Sequence, residues 1–215
     1  MRSSTIVSSL LALTFCCGGA ATSHAAGRSM DSAYTKFAIE RCPHRAGRDV
    51  EDYGEWRCQG LDGITVLINA GDQRMTMSFG SRARNEPAAA QTLQGFNGID
   101  PGRIEWRVAR QPGRRSQPFA AIVRWSTLLV DERGVAGRSA KGRVLVVTRL
   151  GPGGVCHIGY VDALANANAN ELARKIADER AASFRCDIDK PVIVGETGPG
   201  FSSSGGAIRD DRLEP

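Results

Sequence analysis

His157 is the residue of this sequence whose type and setting best suit chemistry. It lies in an apolar segment directly after Cys156, and a neutral imidazole there can accept a proton or hold a ligand. A serine hydrolase would also need a nucleophilic serine, but the sequence contains no Gly-x-Ser-x-Gly motif. Two interpretations of His157 therefore stand: a hydrogen-bonded histidine of the interior, which we favour, and a residue that lines a site.

A groove at His157 would draw its other residues from neighbouring strands. Strand alternation places the His157 ring on the sheet face opposite the predicted helix. The alternative to an interior histidine is thus a groove lined by His157, Trp106 and Arg124 that binds a ligand without catalysis. A hydrolase with an unrecognised site near His157 is an alternative. Separately, Glu105 and Asp131 could belong to a carboxylate pair as in glycosidases, but β-rich proteins commonly offer such pairs.

The cysteines that follow the predicted leader are best explained as disulfides. The chain has six cysteines, and an even set in an oxidising compartment indicates disulfide bonds. Of the three pairings of the last four, we favour the sequence-local set, Cys42 with Cys58 and Cys156 with Cys186. A zinc site is the competing interpretation, but no Cys-x-x-Cys pair is present and His157 directly adjoins Cys156. We predict no metal and no cofactor.

The amino terminus has the layout of a secretory signal peptide. Arg2 supplies a positive charge, Ile6 to Phe15 form a short apolar core, and small residues follow. We predict a signal peptide over residues 1–25 and a periplasmic or secreted protein. The alternative is a lipoprotein acylated at Cys16 or Cys17. No segment reaches the roughly 20 apolar residues that span a bilayer, so we predict no transmembrane segment.

The charge of the chain does not indicate nucleic-acid binding. The formal net charge is +5, and the basic residues are mostly arginine, which binds phosphate and carboxylate groups. These arginines are spread along the chain without interleaved aromatic residues, whereas proteins that bind nucleic acid usually combine the two. We therefore predict no nucleic-acid partner.

Alternating apolar and polar residues predict an antiparallel, β-rich sheet of about six to eight strands. Ile64, Val66 and Ile68 fall on one face of a strand, and Met75, Met77 and Phe79 on one face of the next. Asp62-Gly63 predicts a hairpin turn between strands. Further strands are predicted at these segments: residues 104–108, 119–130, 143–150 and 155–161.

One strong helix is predicted near the carboxyl end. Asn168 is placed to cap it, with Glu171 at the capping-box position, and apolar residues recur at helical spacing as far as Phe184. The outer face carries charged pairs such as Arg174 and Asp178. If Cys156 bonds Cys186, the helix must pack on the sheet face that carries Cys156, Ile158 and Tyr160.

We therefore predict the α+β class, with this helix stapled by a disulfide to one face of the sheet. A single domain is expected over residues 30–194. The Gly-, Ser- and charge-rich segment 195–215 is predicted to be a disordered tail.

Five segments carry a resemblance to a known group: Trp56-Arg57-Cys58-Gln59-Gly60, Gly71-Asp72-Gln73-Arg74-Met75, Gln91-Thr92-Leu93, Ile104-Glu105-Trp106-Arg107 and Cys156-His157-Ile158-Gly159-Tyr160-Val161-Asp162. Through them the chain resembles a group of exported alphaproteobacterial proteins of unassigned function. The likeness covers most of residues 34–191. It implies export but brings no activity and no site residues.

A second, more limited likeness concerns the opening of the domain. Trp56-Arg57-Cys58, a glycine turn and Ile64-Thr65-Val66 make the chain similar to periplasmic C-type lysozyme inhibitors, which are small disulfide-bearing β-barrels. Their Ser-Gly inhibitory loop is not evident in this sequence. Our leading prediction is a non-catalytic envelope protein that binds an envelope protein or a small ligand through its free sheet face. The alternative is an inhibitor of an envelope-directed hydrolase such as lysozyme.

Overall fold

Alternating apolar residues produce the strands of a largely antiparallel β-structure. The structure, a computed structural model, describes residues 29–48, 54–113, 115–130 and 136–198. The predicted leader and residues 199–215 lie outside these ranges. The strands are β1 (Ser29–Phe37), β2 (His44–Arg45), β3 (Gly54–Gln59), β4 (Thr65–Gly71), β5 (Arg74–Phe79), β6 (Asn97–Ile99), β7 (Gly102–Arg110), β8 (Gln117–Val130), β9 (Ala136–Arg149), β10 (Cys156–Asp162) and β11 (Val192–Ile193).

Within these ranges there is one α-helix, α1 (Ala169–Arg180), and there are four short 3-10 turns. Two of the turns, Ala83–Asn85 and Pro87–Ala89, occupy the connection that follows β5. The antiparallel β-rich character, the carboxyl-terminal helix and thus the α+β class agree with the prediction.

The strands form two sheets. The larger has seven strands in the order β1-β7-β8-β9-β10-β11, with β6 also paired to β8, and the smaller has four in the order β2-β3-β4-β5. All pairings are antiparallel except that of β10 with β11. We predicted a single sheet, but β2 to β5 form a sheet of their own, whose apolar face packs against one face of the large sheet.

The turns of the small sheet follow from residues that tolerate positive φ. Asp72 and Gln73 have φ of 44° and 59° between the paired residues Gly71 and Arg74, which is the geometry of a type I′ hairpin. The predicted turn at Asp62 is also formed, with φ of 53°.

The main core lies between the two sheets. It contains Val66, Ile68 and Phe79 of the small sheet together with Trp106 and Trp125 of the large one. The Phe79 and Trp106 rings meet edge to face at 5.5 Å. The face of the large sheet that we expected to be free is therefore covered by the small sheet.

A β-bulge in β10 decides which way its side chains point. His157 pairs with Thr148 and Gly159 with Val147, so Ile158 is an extra residue that reverses the alternation after it. Tyr160 consequently belongs to the core between the sheets. Our prediction that it shares a face with Cys156 and Ile158 is wrong for this reason.

A second core cluster contains both helix and strand residues. Ala173, Ile176 and Ala177 of α1 belong to it, together with Ile122 and Leu145 of β8 and β9. Asn168 occupies the N-cap position, but its side chain makes no capping hydrogen bond. The carboxyl segment continues past β11, where the Gly198 N–H donates to Asp162 Oδ2.

Both predicted disulfides are present. Cys42 bonds Cys58 and Cys156 bonds Cys186, with sequence separations of 16 and 30 residues. In the chain-entropy account, loops of these lengths stabilise a fold by about 3 to 4 kcal/mol each. The second bridge ties β10 to the segment just after α1, which is the staple that the sequence indicates.

Candidate functional site

His157 lies in the interior of the protein. The residue is fully buried. Its backbone N–H donates to Gln91 Oε1 at 2.7 Å, and its ring Nδ1 lies 2.9 Å from the Tyr160 hydroxyl. Its ring meets Trp125 edge to face at a centroid distance of 5.8 Å. A substrate in solvent has no access to an imidazole held in this way.

Trp106 is also buried in the core, where its indole Nε1 donates to the Thr35 hydroxyl at 2.9 Å. Arg124 lies on the other face of the sheet, because Val123 and Trp125 on either side of it belong to the core between the sheets. The common groove predicted for His157, Trp106 and Arg124 is therefore not formed. Only Arg124 borders an open cavity.

That cavity is a groove of about 690 Å³ beside the amino-terminal half of α1. Ile122, Arg124 and Ser126 of β8 line it along one strand, and Arg143 and Leu145 of β9 along the next. These residues share a face because successive side chains of a strand alternate. Residues of β1, β7, the β6–β7 connection and α1 complete the lining.

Arg124 and Arg143 bring two guanidinium groups to this groove. Arg124 pairs with Leu145 and Ser126 pairs with Arg143, so the two arginines are diagonal neighbours, within reach of a shared ligand. Arg124 is partly buried and Arg143 is exposed. Among the described residues, no hydrogen bond or ion pair engages either guanidinium group.

The helix wall of the groove is held by an ion pair. Arg174 Nε donates to Glu105 Oε1 at 2.6 Å, and the Ser32 hydroxyl donates to the same oxygen at 2.6 Å. Arg174 Nη2 also donates to the Tyr34 hydroxyl at 3.2 Å. The hydrogen bond to Glu105 raises the pKa of Arg174 above its ordinary value, so Arg174 stays charged and its charge is balanced.

Arg107 makes a second link to α1, at Asp178, one helical turn beyond Arg174. Its Nε and Nη2 donate to the two carboxylate oxygens of Asp178 at 2.8 and 2.7 Å, a bidentate geometry. Its Nη1 donates to the Ser32 hydroxyl at 2.6 Å. We predicted that Arg174 and Asp178 pair along the outer face of the helix. Instead, both reach the sheet, because Glu105 and Arg107 lie opposite them.

Several other arginines of the described chain are bound by protein acceptors close to them. Arg84 and Arg57 donate to the buried Glu55 carboxylate, beside a smaller cavity of about 220 Å³. The buried Arg149 donates to the carbonyls of Gly154 and Ala181, and burial lowers its pKa. Arg124 and Arg143 differ from these arginines because no acceptor among the described residues binds their guanidinium groups.

The groove contains no pair of groups suited to acid–base catalysis among the described residues. Two carboxylates, Asp100 and Glu105, line it, but Glu105 is already bound by Arg174 and Ser32. A glycosidase needs one carboxyl group as acid and another as base or nucleophile. Asp131, the partner that we considered for Glu105, lies outside the described residues.

Searches of the described residues for other site types found nothing: no cluster of three metal-ligating side chains and no helix that could cross a membrane. Comparisons with protein-family models, with curated proteins and with solved structures gave no match. The geometry of the groove is therefore the feature of the described residues that bears on function.

The sequence contained part of the signal for this groove. Arg124 interrupts the apolar segment 119–130, and Arg143 begins the apolar segment 143–150. What was missing is the register of β8 against β9, which alone shows that the two side chains share a face.

Proposed function

We propose that this protein is a non-catalytic binding protein of the cell envelope whose anionic ligand occupies the groove beside α1. The observation that carries the proposal is the pair Arg124 and Arg143, two guanidinium groups on one sheet face with no protein acceptor among the described residues. Arginine presents a planar set of donors that matches carboxylate and phosphate oxygens.

In this proposal α1 covers one face of the large sheet only in part. The helix buries Ile122 and Leu145 near its amino-terminal half, and the sheet beyond it, with Arg124 and Arg143, stays open. The Arg107–Asp178 and Arg174–Glu105 pairs fix the helix as a wall of the groove. The ligand then binds to a surface that exists before it arrives, which lowers the entropic cost of binding.

Two disulfides and the predicted signal peptide support a location in the periplasm or outside the cell, where disulfides persist. Binding without catalysis is supported by the lining of the groove. Its described residues include no histidine or cysteine, and Glu105 is engaged as a structural acceptor.

Citrate is a suitable first probe because it carries several carboxylates and no large apolar part. We expect isothermal titration at fixed ionic strength to show citrate binding that weakens at least tenfold in the Arg124→Gln, Arg143→Gln double variant. A charge-assisted hydrogen bond contributes about 1.5 to 3 kcal/mol, and tenfold corresponds to about 1.4 kcal/mol.

The matched control removes the same charge elsewhere. Arg41 and Arg82 are exposed and lie outside the groove, so the Arg41→Gln, Arg82→Gln variant should bind citrate within twofold of the native protein. Equal weakening in both variants would show a general charge effect and reject the groove. Capture of lysozyme with loss of its activity would instead favour the inhibitor hypothesis.

A further inference from the structure

The cationic residues of the groove continue beyond it as a row across four adjacent strands. Lys36 of β1 pairs with Arg103 of β7. Glu105 pairs with Ile122. Beyond this pair the end of β6 lies beside β8, where Ile99 pairs with Trp125 and the Asp100 N–H donates to the Arg124 carbonyl, so Arg103 and Arg124 of β8 flank the β6–β7 connection. Arg143 of β9 follows, displaced along its strand by the two residues from Arg124 to Ser126.

All four side chains project from the same face of the large sheet. Arg103, Arg124 and Arg143 line the groove. Lys36 shares a face with Tyr34, another lining residue, because the two are separated by one position on β1. Neighbouring strands are about 4.8 Å apart, so the row spans about 14 Å across the strands. A single small anion would engage only part of it.

The polar groups beside this row suit hydroxyl groups as well as charges. Asp100, Ser126 and Asn170 also line the groove and can exchange hydrogen bonds with a hydroxylated ligand. The Asp100 carboxylate accepts hydrogen bonds from hydroxyl groups and repels any anion, so it favours a ligand whose charges are separated by hydroxyl-bearing segments. Tyr34 has the Arg103 guanidinium over one face of its ring at 5.5 Å, and the described lining includes no second aromatic residue with which it could form a stacking platform for nucleobases.

From this arrangement, and on the basis of the proposed function, we infer that the natural ligand is an acidic glycan chain lying across the strands, with its carboxylates on successive cations of the row. The long side chains of arginine and lysine can reach successive carboxylates of such a chain, although Arg124 and Arg143 are diagonal rather than directly opposite neighbours. Lys36 is the residue that separates a chain from a small anion, because it lies outside the groove that holds Arg124 and Arg143.

The test compares digalacturonate with octagalacturonate at one ionic strength, using native protein and the Lys36→Gln variant. An octamer offers more binding registers than a dimer, which alone raises its affinity by up to about sevenfold. The comparison between variants does not depend on this factor. We expect Lys36→Gln to weaken octamer binding about threefold, the scale of one exposed ion pair, and to leave dimer binding unchanged.

Lys190→Gln serves as the matched control, because Lys190 is also exposed and lies outside the row and the groove. It should change neither affinity. If octamer binding ignores Lys36 while citrate binding still requires Arg124 and Arg143, the glycan chain is rejected and the proposed function stands. If neither probe depends on Arg124 and Arg143, both fail. Tighter binding of an eight-nucleotide oligothymidine than of the octamer would also overturn the glycan inference.

Discussion

Arg107 and Arg124 lie on the same face of the large sheet but in different surroundings. Arg107 gives three hydrogen bonds to Asp178 and Ser32 and is buried under the helix. Arg124 reaches an open groove and has no acceptor among the described residues. The first arginine fixes the architecture, and the second is available to a ligand. This contrast between neighbouring arginines is the basis of the proposed function.

The Asp178 carboxylate tests the structural half of this contrast. In Asp178→Asn the Arg107 guanidinium, 8% exposed, loses its charged partner. Truncating a largely buried pair leaves an uncompensated charge. Since Asp178 is 26% exposed and water can respond, we expect a loss of about 2 kcal/mol in the free energy of unfolding, measured by urea denaturation.

Glu179 next to it provides the control. Its pair with Lys175 is 4.0 Å long and both side chains are more than half exposed, so Glu179→Gln should cost less than about 0.5 kcal/mol. Equal losses in the two variants would show that the Arg107–Asp178 pair contributes nothing beyond a surface charge.

At the scale of elements, the bulge at Ile158 brings β10 and α1 close together. A Cβ on Gly159 would lie 2.8 Å from Ile176 Cγ2 and 3.0 Å from the Val192 carbonyl oxygen. The glycine therefore permits the contact between β10, α1 and β11. Such an approach cannot be read from periodicity, because the extra residue is not marked in the sequence.

Gly159→Ala should consequently destabilise the protein by about 1 to 3 kcal/mol, the usual cost of overpacking a core. Gly98 is the matched control in another strand, since a Cβ there meets nothing closer than Ser126 Oγ at 3.8 Å. Thermal denaturation of both variants measures the difference. A Gly159→Ala protein as stable as Gly98→Ala would mean that β10 and α1 are not in close contact.

Much of the element content could be predicted from the sequence, and the reasons are local. Val66 and Ile68 follow the two-residue repeat of one strand, and Phe79 follows the same repeat in the next strand. The apolar spacing of α1 follows the helical period. The destination of a charged side chain is not local. Arg174 and Asp178 are spaced as well for each other as for Glu105 and Arg107, so the sequence alone cannot show that they bind the sheet.

At the scale of the whole molecule, the large sheet contributes to two core clusters, one shared with the small sheet and one shared with α1. The small sheet covers the face with Trp106 and His157, which removes both from contact with solvent. On the opposite face, beside the amino-terminal half of α1, Arg124 and Arg143 line the open groove. The division into two sheets could not be predicted, because the apolar pattern of a strand shows which of its faces are buried but not which other strands it pairs with. The candidate site therefore lies at Arg124 and its neighbour Arg143, and not at His157.

The most direct test of the account observes the arginine side chains themselves. In ¹H–¹⁵N spectra with Nε–H signals assigned by single substitutions, titration with digalacturonate should shift the signals of Arg124 and Arg143 first. The Arg149 Nε–H, buried and bonded to the Ala181 carbonyl at 3.0 Å, should not move. Shifts that spread evenly over all exposed arginines, or that are confined to Arg57 and Arg84 around Glu55, would contradict the binding groove beside α1.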